Sequence, residues 1–127
     1  MDKHIEKAMQ LRNNERCPNC AETIMMTYAE ELGLSESQMK ALGTNFGGGM
    51  KSGSTCGAVT GALMVLGALG ISDPHIVGEF QRKMKENHNG MINCFDLLRE
   101  NAQAGGQKKP HCDGMIKEAI ELIEEYR

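Results

Sequence analysis

At 127 residues the chain is long enough for one domain with a real core and leaves little room for a second. Charged residues make up 24% of it, the net charge is −3 and no run of one sign exceeds a few residues, which excludes charge-driven binding to nucleic acid or an anionic membrane. Trp is absent, aromatics are 4% and Met reaches 10, so the core has to be built from Leu, Ile, Val, Ala and adaptable Met.

Helical periodicity runs through almost every segment, and no segment shows sustained strand alternation. The opening MDKHIEKAMQ is polar with no apolar stretch behind it; it does not read as a secretory signal, so a cytoplasmic location is the expectation. A first helix sets Ile5, Ala8 and Met9 on one face and fades near Asn13 and Asn14. A second carries Ala21, Ile24, Met25, Tyr28 and Leu32 at helical spacing, with Asn19 as N-cap, Glu22 as its capping-box partner and Gly33 just past its end. A short third helix starts at Ser35, with Gln38 in the box position, and stops at Gly43.

The fourth helix is predicted from Ser54 or Thr55 to Leu69, ended by Gly70. Its surroundings hold no charge between Lys51 and Asp73, which is nearly a membrane-spanning length. The apolar part proper runs only from Ala58 to Ile71 and is broken by Gly61, Gly67 and Gly70, so a buried central helix is the better reading. Asp73-Pro74 starts a fifth helix with Ile76, Val77, Phe80 and Met84 inside, ending before Gly90. Asn93 caps a sixth, CFDLLREN; the loop AQAGGQKKPH follows; a last helix from about Asp113 buries Ile116, Ala119, Ile120 and Ile123. The expected fold is all-α, a compact bundle of six or seven helices forming a single domain over residues 1–127 around a buried Gly/Ala-rich central helix.

The five cysteines carry the chemistry. A cytoplasmic setting disfavours stable disulfides, so they read as metal ligands or redox thiols. PNCAE (18–22) and INCFD (92–96) echo each other: Asn, Cys, then an acid three positions after the Asn. Cys56 follows the capping pair Ser54-Thr55, and Cys112 stands beside Asp113. Cys20, Cys56, Cys94 and Cys112 are thus each expected at a helix start, where unpaired N–H groups and the helix dipole favour thiolate and lower its pKa. Four such thiols on one small bundle could converge, and helix N-termini would offset the charge of a four-thiolate iron–sulfur cluster. Gly47, Gly48, Gly49 and Gly53 would let the backbone turn tightly beside Cys56, and Gly57 and Gly61, one turn apart, would admit a close neighbour. Gly53, Gly57 and Gly61 are therefore expected on the cofactor side of the site.

Other readings of these residues compete. A single buried Cys is ordinarily just a small core residue. GGGMKSGST lacks the order of a phosphate-binding loop, and no strand precedes it. CPNC (17–20) matches C-x-x-C without the βαβ setting of a thioredoxin, and Ala21 in place of His rules out haem attachment. The long, unequal spacings of the four cysteines weigh against a zinc ribbon. His111 is a candidate substitute ligand or a loop histidine; His4, His75 and His88 receive no role, and the methionines read as core.

NCAETIMMTYAEELGL, FGGGMKSGSTCGAVTGALMVLG, INCFDLL and HCDGMIKEAIELIEE together resemble the CGAxxG (C-GCAxxG-C-C) family of redox-active proteins, whose hallmark is four cysteines and a CGAxxG motif, here CGAVTG from Cys56 to Gly61. The likeness runs from about Cys20 to the end. It implies that Cys20, Cys56, Cys94 and Cys112 are the hallmark thiols and that Cys17 is extra. It also implies a helical, prokaryotic protein and electron transfer around an iron–sulfur centre, since similar domains occur in multi-centre cytochromes. The leading expectation is a small protein that binds an iron–sulfur cluster, most simply 2Fe–2S, through those four cysteines, for electron transfer or redox sensing. A thiol–disulfide protein cycling pairs of the same cysteines is the first alternative, and a zinc or copper site the second. No acid–base pair or nucleophile with its base is evident, so no substrate chemistry is assigned. A redox partner protein of unknown identity is implied, no nucleic acid or membrane, and the small-residue face of the fourth helix could pack within the chain or on a second copy as a homodimer.

Overall fold

The computed structural model describes residues 2–127 as eight α-helices: α1 Lys3–Arg12, α2 Cys20–Thr27, α3 Ala29–Leu32, α4 Glu36–Gly43, α5 Gly57–Ala68, α6 Pro74–Glu86, α7 Cys94–Gln103 and α8 Lys108–Tyr126. Among the described residues there is no strand, only one isolated antiparallel bridge between Thr55 and Asn93. The fold is all-α, as the periodicity predicts.

Local chemistry accounts for most boundaries. Asn19 and Ser35 both close full capping boxes, with Glu22 and Gln38 returning the bond. Asp73 caps α6 through the N–H of His75, with Pro74 in the first turn. The predicted second helix is two helices. Thr23 and Thr27 turn their hydroxyls back onto the carbonyls of Asn19 and Thr23, at 2.8 and 2.7 Å, and the helix breaks at Tyr28. Back-bonding of this kind bends helices.

α2 lies at the centre, packed on α1, α4, α5 and α8. α5 is the buried Gly/Ala-rich helix, enclosing Gly57, Ala58, Val59, Gly61, Ala62, Val65 and Leu66. Two glycines make its approach to α2 possible. A Cβ on Gly57 would sit 2.9 Å from the carbonyl oxygen of Phe46 and 3.1 Å from the nitrogen of Ala21; one on Gly61 would sit 3.2 Å from Ala21 and Ile24. Around this pair the core closes with Tyr28, Ile24, Phe80, Met84, Ile116, Ile120 and Ile123, all fully buried and each contributing roughly 1.5–3 kcal/mol by removal from water. α1 runs antiparallel to α8, tied by Arg12 to Asp113 at one end and by His4 to Glu124 at the other.

Candidate redox thiol site

The structure gathers the cysteines at one end of α2. Cys20, Cys56, Cys94 and Cys112 line a single cavity of about 330 Å³, and Cys17 lines it with them. Three local devices bring them there. The Gly57/Gly61 contact puts the start of α5 against the start of α2, and so Cys56 beside Cys20. The Thr55–Asn93 bridge joins the segments before α5 and α7: the N–H of Cys56 donates to the carbonyl of Ile92 and that of Cys94 to the carbonyl of Ser54, both at 2.7 Å. Arg12, only 6% exposed, donates to Asp113 Oδ1 at 2.7 Å and to the Pro18 carbonyl at 2.6 Å. It thereby holds the Cys17–Cys20 turn and the Cys112 segment to one anchor.

The four thiols are not placed alike. Cys20 and Cys94 are first helical residues, after Asn19 and Asn93. Cys56 is itself the N-cap of α5. Cys112 lies in the second turn of α8, because that helix begins at Lys108 and not near Asp113. Pro110 reads in sequence as a break, but in a first turn its missing N–H has no helical partner to lose.

Nor are the thiols uniformly acidic. Cys20 has both Cys112 and Cys56 as close neighbours; the pull of their sulfurs on its one thiol proton, with burial added, pushes its pKa well up. The same contact lowers Cys56, helped by the N–H groups of Ala58 and Val59 against its burial. Cys112 is lowered to about 7, first by Cys20, then, against burial, by Arg12 and Lys108. Cys94 is raised, by burial and then by the neighbouring Cys56 and Cys112. The helix-terminus rule thus holds for Cys56, which lies at the cap of α5 beside the N–H groups of Ala58 and Val59. At Cys20 a thiol–thiol contact overrides it, and at Cys94 burial does.

Lys108 and Lys109 line the cavity beside Arg12, and Leu97, Leu98 and Met115 supply an apolar wall. His111 lies on the wall too, its pKa lowered by burial and then by His88. Of the glycines expected on the cofactor side, Gly57 lines the cavity. Gly53 and Gly61 face elsewhere: a Cβ on Gly53 would lie 3.0 Å from that of Phe95, and Gly61 faces α2. Their small size serves packing. Gly48, which lines the cavity, opens a left-handed turn: Gly48, Gly49, Met50 and Lys51 all have φ between 55° and 65°. Sequence reasoning missed Arg12, Lys108 and Lys109, and it gave no role to His4, which is buried in the first turn of α1.

Among the described residues, one group of three or more His, Cys, Asp or Glu ligand atoms closes to within 4.8 Å: Asp2, His4 and Glu124, at the far end of the bundle. No three cysteine sulfurs draw together that tightly. Among the described residues no helix is long and apolar enough to cross a membrane.

Residues 18–126 match a family model described as "Putative redox-active protein (C_GCAxxG_C_C)". No curated protein and no solved structure matches the chain. The match covers most of the sequence, and the chain belongs to the C_GCAxxG_C_C family of redox-active proteins.

Proposed function

We propose that this family member holds an iron–sulfur cluster, most simply 2Fe–2S, through Cys20, Cys56, Cys94 and Cys112, and serves in electron transfer or redox sensing. The observation that carries this reading is one cavity lined by thiols from four separate segments together with Arg12, Lys108 and Lys109. The donor set is soft, as iron–sulfur ligation requires. The cations suit an anionic guest: a 2Fe–2S centre on four thiolates keeps a net negative charge, and reduction adds to it. Size favours a cluster over a single ion. A tetrahedral zinc on thiolates draws all its sulfurs to about 3.8 Å of each other, given Zn–S near 2.3 Å, whereas among the described residues no three cysteine sulfurs lie within 4.8 Å of one another.

When bound, the cluster supplies a one-electron couple. The chain's own residues do the rest. Cys20 must give up its proton, which the neighbouring Cys56 and Cys112 hold on it in the free protein. Arg12 fixes two of the ligand-bearing segments, and Leu97, Leu98 and Met115 limit water. The test is a set of single Cys→Ser variants purified without oxygen. Loss of iron and of visible absorption in Cys20, Cys56, Cys94 and Cys112 variants supports the reading; wild-type protein that stays colourless and iron-free after reconstitution refutes it.

One observation favours a second reading: Cys20 lies near enough to both Cys56 and Cys112 for each to act on its thiol, with Cys112 lowered to about 7. In the free protein either pair could close to a disulfide, releasing two protons and two electrons to an acceptor. Peptide mapping after mild oxidation separates the readings, since it would show Cys20 linked to Cys56 or Cys112 with no metal bound.

A further inference from the structure

We propose that the face formed by the start of α7 and the left-handed turn before α5 docks an acidic electron-carrier protein. The proposal rests on the redox reading of the thiol site for its purpose, but its observations are separate. Phe95, directly after Cys94, is 61% exposed, and Met50 is 44% exposed. An aromatic ring left in water this far has no folding role to account for it, and exposed apolar side chains grouped at one place mark contact surfaces. The two belong to one surface: the Cβ position of Gly53, three residues beyond Met50, lies 3.0 Å from the Cβ of Phe95. Cys94 is the least enclosed of the four cavity thiols in the family motif, so this is the side where the site comes nearest to solvent.

The loop that carries Met50 is held in a costly shape. Met50 and Lys51 have φ of 58° and 55°, which disfavours L-residues by about 1–2 kcal/mol each. The Ser54 N–H donates to the Gly49 carbonyl at 2.9 Å and the Ser52 hydroxyl donates to the same oxygen at 3.1 Å, which locks the turn. The result presents Met50 and Lys51 to solvent on the turn that packs on the start of α7 through Gly53 and Phe95. Strain kept where it exposes side chains points to use of that surface.

Charge selects the occupant. Arg99 places its guanidinium 5.4 Å from the centre of the Phe95 ring, Lys51 adjoins Met50, and Lys108 lines the cavity with Cys94, near enough to act on it electrostatically. Asp96 pairs with Arg99 at 3.7 Å. The chain as a whole is at −3, so a basic face on an acidic protein steers an acidic partner to this side and repels a second copy docking face to face.

The experiment measures affinity by calorimetry for two defined probes, an acidic plant-type ferredoxin and basic cytochrome c. The expected result is ferredoxin binding that weakens as salt rises and falls at least about tenfold in Phe95→Ser and in Lys51→Glu, the size expected of an interface anchor. Leu42→Ser, an exposed apolar change on α4, should leave it unchanged, and circular dichroism checks that each variant folds. Absence of ferredoxin binding, equal binding by the variants, preference for cytochrome c, or a wild-type dimer that Phe95→Ser breaks would each overturn the proposal. Iron and sulfide content is read on the same samples. Missing cluster with intact docking would fault only the redox reading.

Discussion

The two ends of the α1–α8 pair are built from the same helices and do opposite things. At one end His4 is buried, its ring stacked on Tyr28 at 4.6 Å and bonded to Asp2 and Glu31. Tyr28 donates to Glu124 at 2.9 Å, and Arg127 reaches Glu31 at 2.6 Å and Glu124 at 3.1 Å. Each charge there has its partner, and the group closes the bundle. At the other end Arg12 and Asp113 make a comparable pair, yet beside them five thiols and two further cations line an open cavity. The lesson is that buried polar groups here fall into two kinds: some consume one another, and others are kept available. Thiols do the second job well because they can be buried at small cost without strong partners.

That contrast can be broken at several points. The largest effect is expected from Gly61→Leu, which forces a side chain into Ala21 and Ile24; a loss of about 3 kcal/mol or more by chemical denaturation is expected, with Cys56 moved off Cys20 and metal uptake lost. Next, Arg12→Leu removes two short hydrogen bonds from a buried cation. About 2 kcal/mol is expected, moderated because Asp113 keeps Lys109 at 2.9 Å, together with weakened retention of iron. His4→Ala sharpens the comparison: it should lower stability by about 1–2 kcal/mol while iron content and thiol reactivity stay as in the wild type. The smallest effect concerns the free thiols. A lowered pKa means thiolate appears as pH rises through it, so alkylation of Cys112 followed by mass spectrometry should climb through about pH 7. Cys94, whose pKa is raised, should respond only at higher pH.

The sequence made the helices legible where a cap or a proline announces them: Asn19 with Glu22, Ser35 with Gln38, Asp73 with Pro74. It failed where one signal has two meanings. Pro110 breaks a helix interior but is welcome in a first turn, and α8 starts accordingly five residues before Asp113. Thr23 and Thr27 fit the helical period, yet their hydroxyls end α2. In the site, the cysteines and the Gly57/Gly61 contact were readable from position and spacing. Arg12 was not, because a charged residue at a helix end ordinarily faces water; only the tertiary meeting of Pro18 and Asp113 explains its burial. The unequal acidity of the thiols also lies beyond local reasoning, since it depends on which sulfur meets which.

The most direct test is the count of iron and acid-labile sulfide per chain in protein purified without oxygen. Two of each, with an absorption band that bleaches on reduction, is the result predicted for a 2Fe–2S centre held by four cysteines. Fully folded protein holding neither, before and after reconstitution, would contradict it.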